Sequence, residues 1–61
     1  MTFEQMRVGT AFLNSQKNLC IVISIDDVCM QIYNVTNAWL TPSLAFDDWK
    51  NSLQYWQLLA Y

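Results

Sequence analysis

The sequence predicts a mainly β, α+β fold: a small five-stranded antiparallel barrel, or a strongly bent antiparallel sheet, with one short helix before the last strand. Three observations carry this reading. The stretch "NLCIVISIDDVCMQIYNV" alternates in steps of two, is rich in β-branched residues and holds neither Gly nor Pro. Phe46, Trp49, Leu53 and Trp56 recur at helical spacing. The chain has 61 residues, 54% hydrophobic and 15% aromatic, which suits one dense domain, 1–61, near the lower size limit for independent folding. No repeat, low-complexity segment or linker interrupts it.

At the start, Thr2 and Gln5 have capping-box spacing, so residues 3–6 are expected to form one helical turn with Phe3 and Met6 inward. "RVGTAFL" reads as a short strand. Val8, Thr10 and Phe12 share one face, and Ala11 and Leu13 the other. Gly9 marks a bulge or a close backbone approach, and "LNSQKNL" is the loop that follows.

The hairpin comes next. With Asp26-Asp27 as a two-residue turn, Ile25 faces Val28, Ile23 faces Met30 and Ile21 faces Ile32. Those six residues, with Leu19, form the inward stripe. A four-residue loop keeps the same pairing. In this register Cys20 faces Tyr33 and Cys29 faces Ser24, on one face of the sheet.

Ala38 to Thr41 is expected to be a small strand, and Pro42 keeps it from a central position. Ser43 is expected to cap a helix over 44–53, with Asp47 and Asp48 near its positive end. The helix cannot carry its apolar face to the C-terminus, because Tyr55 would then sit opposite Phe46. A last strand over 55–60 instead puts Tyr55, Gln57, Leu59 and Tyr61 on one side and Trp56, Leu58 and Ala60 on the other.

The resulting order, with a helical turn before the final strand, resembles small five-stranded barrels of the SH3-like kind. The resemblance is to an architecture, and no motif names a family. It implies exposed rings able to recognise proline-rich peptides or modified side chains, given a groove with accompanying acids. The alternative is a three- or four-stranded sheet with the helix packed across it.

Composition narrows the function classes. Only 13% of residues are charged, against roughly 25% in an average domain. Net charge is −2 and the cations are Arg7, Lys17 and Lys50 alone. That disfavours nucleic acid as a partner, since such binding draws its strength from neutralised phosphates. Five acids are too few for a DNA mimic. The longest apolar run, "LCIVISI", is far short of the ~20 residues that span a bilayer. "MTFEQMRVGT" lacks a signal-peptide pattern. A cytoplasmic location and no membrane association are expected, and the "NVT" sequon is read as chance.

No histidine is present, and Gly9 is the only glycine. The commonest general base and metal ligand, and any glycine-built phosphate loop, are therefore missing. The expectation is no enzyme, no cofactor and no metal. Asp26-Asp27 and Asp47-Asp48 are read as a solvated turn and a helix start. The predicted register separates Cys20 and Cys29 by about 13 Å along the strands. A disulfide needs Cα atoms within ~7 Å, so two free thiols are expected.

What remains is aromatic. Phe46, Trp49 and Trp56 are assigned to the core. Tyr33, Trp39, Tyr55 and Tyr61 are the candidate partner-binding residues, because interfaces favour Tyr and Trp over Lys and Glu. The chain reads as a small non-enzymatic module that binds another protein, in the style of an inhibitor or adaptor of phages and mobile elements. The alternatives are a self-associating subunit, and single-stranded nucleic-acid binding through exposed rings. A small catalytic or metal protein is the least favoured.

Overall fold

A computed structural model of the protein describes residues 1–60. Along the chain run a 3-10 turn (Phe3–Gln5), β1 (Ala11–Leu13), β2 (Leu19–Ile25), β3 (Cys29–Asn34), β4 (Trp39–Leu40), β5 (Leu44–Ala45), α1 (Phe46–Leu53) and β6 (Gln57–Ala60). The strands form one sheet in the order β4-β3-β2-β1-β6, with β5 pairing on β3, and every pairing is antiparallel. The molecule is thus mostly antiparallel sheet with one short helix before the last strand. There are six strands among the described residues rather than five. The end strands β4 and β6 do not pair, so the sheet is open.

The N-terminal turn forms as its residues predict. Thr2 donates its backbone N–H to Gln5 Oε1 at 2.9 Å, and Gln5 returns its N–H to the Thr2 carbonyl at 3.2 Å. Met6 is buried beneath it, and Phe3 packs on Phe46 with ring centroids 4.6 Å apart.

The strand expected over 7–13 is shorter at its start. Arg7 to Thr10 form a turn in which Thr10 N–H reaches the Arg7 carbonyl at 3.0 Å. Gly9 there has φ 93°, a region that costs any residue with a Cβ. Its N–H donates to Val22 O at 2.8 Å, the close approach that its position suggested. Thr10 and Phe12 share one face, as expected, and that face is fully buried, but the turn swings Val8 out to solvent.

The hairpin register differs from the expected one. Ile25 pairs with Met30 and Ser24 with Gln31; beyond them Val22 pairs with Ile32, Ile21 with Tyr33 and Cys20 with Asn34. Two local features cause this. The Asp26 carboxylate accepts the N–H groups of Val28 and Cys29 at 2.8 and 2.7 Å, which moves the turn one residue along the chain. A bulge between Val22 and Ser24 then adds an unpaired Ile23. One extra residue reverses the facing of everything beyond it. So β3 keeps its expected inward Met30 and Ile32, and Ile25 still packs against the core. In β2, however, Val22 and Cys20 are buried, while Ile23 is 40% exposed and Ile21 is half-buried on the outer face. Cys20 and Cys29 consequently lie on opposite faces of the sheet rather than on one, and both are free thiols.

The helix starts later than expected, and Ser43 does not cap it. Leu44 and Ala45 are extended and pair with Met30 and Cys29. The first helical N–H, that of Phe46, is taken by the Val28 carbonyl at 3.0 Å. The hairpin tip therefore supplies the partner that a serine cap would have given. Between β4 and β5 the chain passes Pro42, which has no N–H for a ladder. Thr41 compensates: its Oγ1 accepts Ile32 N–H at 3.0 Å and donates to Ile32 O at 2.9 Å.

Inside the curved sheet lie Met6, Phe12, Cys20, Val22, Met30, Ile32, Leu53 and Trp56. Trp56 stacks on Phe12 at 4.3 Å between centroids and meets Trp49 edge-on at 5.6 Å. Leu53 ends α1 on its buried face, as its spacing predicts, and Trp56 enters the core just before β6.

Candidate functional site

The strands and α1 do not close over the whole aromatic core. Between them lies a groove of about 430 Å³. Phe12, Cys20, Ile32 and Trp56 form its floor. The β4–β5 segment contributes Trp39, Thr41, Pro42 and Leu44, α1 contributes Trp49 and Ser52, and Asn14, Ser15 and Asn34 complete the rim. A second hollow of about 550 Å³ is bounded by residues of the 2–7 segment alone and has no opposing wall.

Local sequence explains how each wall is placed. Asn34 ends β3, and its Oδ1 accepts Asn37 N–H at 3.0 Å, which turns the chain back. Ala38 completes the turn at φ 53°, left-handed and unusual for a residue with a Cβ. Trp39 then pairs with Asn34, and its indole is 58% exposed at the groove rim. Opposite, Trp49 is held by its own N–H, which donates to the Met30 carbonyl at 2.9 Å. On the remaining rim, Asn14 Oδ1 accepts the N–H groups of Gln16 and Asn18 at 2.9 and 3.0 Å and shapes the β1–β2 loop.

The lining has no carboxylate, ammonium or guanidinium group. Its one ionisable group is the Cys20 thiol, which burial pushes up in pKa, so it stays uncharged. The Cys20 S–H contacts the Asn18 carbonyl at 3.7 Å. The groove is thus an uncharged, mostly aromatic surface with amides and hydroxyls at its edge. Among the described residues no three His, Cys, Asp or Glu side chains come together to hold a metal ion. Among the described residues no helix is long and apolar enough to cross a membrane.

The three described candidate aromatic residues are dispersed. Trp39 lines the groove. Tyr33 pairs with Ile21 and Leu40 on the outer face of the sheet, not with Cys20 as the expected register had it. Tyr55 is 66% exposed between α1 and β6 and does not line the groove. Tyr61 lies outside the described residues. Asn14, Asn34, Thr41 and Pro42 were not singled out from sequence as site residues. Asn34 is nine-tenths buried, which also makes it a poor acceptor for a bulky glycan at the "NVT" sequon. The usable signal was the "NVTNAWLTP" run, in which a buried amide and an exposed indole stand five residues apart across a turn.

No protein-family model matches the chain, and neither a curated protein nor a solved structure matches it.

Proposed function

We propose that the protein is a non-enzymatic protein-binding module whose aromatic groove receives the partner. The observation that carries this reading is Trp39, 58% exposed at the rim of an uncharged groove floored by Phe12 and Trp56. Exposed tryptophan next to a preformed apolar hollow is the usual chemistry of an interface anchor. Arg7, Lys17 and Lys50 are all absent from the lining, which favours a protein over nucleic acid.

The strand path β4-β3-β2-β1-β6, the bulge that bends β2 and the helix before β6 support reading the architecture as an SH3-like barrel left open between β4 and β6. The groove lacks the acids that recognition of cationic ligands by such barrels would use. Small size and an uncharged aromatic site fit an inhibitor or adaptor of the kind encoded by phages and mobile elements, acting in a cytoplasm.

Capture from a host lysate tests the reading. Wild-type protein and Tyr33→Ala should retain the same partner, and Trp39→Ala should lose it. Equal capture by Trp39→Ala and wild type would overturn the groove assignment.

A second reading, self-association, has its own observation. Leu40, Tyr33, Ile21 and Ala11 stand in one cross-strand row on the outer face, with no charge among them. Two such faces would meet without like-charge repulsion in a twofold pair. Light scattering at high micromolar concentration decides it: a sharp monomer would sink this reading.

A further inference from the structure

We infer that the groove takes an uncharged, carbonyl-bearing peptide segment, whose apolar ring seats against the tryptophans while its main-chain carbonyls accept hydrogen bonds from Asn14 and Asn34. This rests on the groove being the partner site and names the chemistry it selects.

The argument starts from the two carboxamides. A backbone N–H can only donate, so the Asn34 atom facing Asn37 N–H at 3.0 Å must be its oxygen. The same holds for Asn14, whose oxygen receives two backbone N–H groups. Both amides are therefore locked in one orientation, each with its NH₂ turned away from the chain that holds it. Neither NH₂ has a hydrogen-bond partner among the described residues. Asn34 is only 6% exposed, yet no fully buried side-chain nitrogen or oxygen in the described structure lacks a partner. Its NH₂ must then reach the surface, and the surface that Asn34 lines is the groove.

Two fixed, neutral donors on an uncharged aromatic groove define a complement. A cation finds no carboxylate in the lining to pair with. A carboxylate finds no positive side chain in the lining. A neutral carbonyl finds donors of the right kind, and a flat apolar ring finds Trp39, Trp49 and Trp56. The groove volume of about 430 Å³ falls within the range of ~300–1,000 Å³ of small-ligand sites. A peptide segment supplies carbonyls and ring together.

The test is side-chain amide and indole NMR of the ¹⁵N-labelled protein with three probes. N-acetyl-tryptophanamide has a ring and two neutral carbonyls, N-acetyl-tryptophan has a carboxylate, and tryptamine has a cation and no carbonyl. The amide probe should move the NH₂ resonances of Asn14 and Asn34 together with the Trp39 indole, and should bind more tightly than either charged probe. Asn34→Asp keeps the acceptor for Asn37 N–H but removes the donor. It should weaken the amide probe about tenfold, in line with one lost hydrogen bond. Asn14→Asp, in a half-buried loop position, makes the same exchange should the first variant fold poorly.

Indole shifts without amide shifts, or equal binding of tryptamine, would overturn the inference while leaving the groove as a binding surface. Absence of binding by all three probes would overturn it too. The groove reading itself stands or falls separately, on capture with Trp39→Ala.

Discussion

The indole N–H of Trp49 donates to the backbone carbonyl of Met30 at 2.9 Å, tying α1 directly to the central strand β3. Met30 is fully buried and is paired in the sheet with Ile25 on one side and Leu44 on the other. The bond fixes one wall of the groove against β3, the strand that contributes Ile32 to its floor. Trp49→Phe keeps an aromatic ring and removes the donor. It should destabilise the fold by about 1 kcal/mol, the usual net value of such a bond. Urea unfolding should show a lower midpoint with an unchanged slope. An unchanged midpoint would mean that the bond contributes nothing to stability.

The bulge at Ile23 makes a prediction that runs against the plain alternation of the sequence. Val22 is fully buried and Ile23 is 40% exposed. Val22→Ala removes buried methyl groups and leaves a cavity, at a cost of about 2 kcal/mol or more. Ile23→Ala should cost well under half as much. The uninterrupted register, with Ile23 inward, requires the reverse ranking, so the two midpoints decide between them.

Asp26 couples the hairpin turn to pH. Hydrogen bonds from the backbone N–H of Val28, and then of Cys29, hold its carboxyl below the usual carboxylate range. Its folded pKa is below its unfolded one. The stabilisation is therefore complete above the unfolded pKa and is lost as pH falls through the folded pKa. Asp26→Asn keeps an acceptor oxygen but cannot titrate. The acid side of a urea-midpoint series should be flatter for this variant than for wild type. Superimposable profiles there would show that the turn carboxylate does not contribute.

The two thiols should react in order. Cys20 is buried, its pKa raised by that burial, whereas Cys29 is half-buried on the other face of the sheet. Thiol modification of the native protein should show one fast and one slow phase, since the thiolate is the reactive form and needs access. Cys29→Ser should remove the fast phase and leave the slow one. A single phase carrying both thiols would contradict the opposite-face placement.

Legibility in the sequence followed how much each segment was constrained locally. β3 was readable because Met30 and Ile32 alternate with Gln31 and Tyr33, which gives the strand one apolar face. β2 was not, because "LCIVISI" is apolar on both sides and either phase satisfies the pattern. The helix end at Leu53 and the presence of a last strand were readable from periodicity, but that strand begins at Gln57 rather than Tyr55, because Gln54 and Tyr55 form a turn closed by the Ser52 and Leu53 carbonyls. The helix start was not, because Ser43 is a good cap in isolation and the Val28 carbonyl that replaces it comes from the hairpin tip. Trp39 was legible as an exposed ring. Its partners in the groove were not.

By itself, then, the sequence determined the mainly β character, the central hairpin, the burial of Met30, Ile32, Leu53 and Trp56, and the scarcity of charge. These follow from composition and short-range periodicity. The tertiary structure decided which face of β2 turns inward, where α1 begins, and that Asn14, Asn34, Trp39, Trp49 and Trp56 surround one groove. The physical reason is that a single bulge residue reverses the facing of a strand, and a backbone carbonyl distant in sequence can replace a helix cap. Neither leaves a periodic trace in the chain.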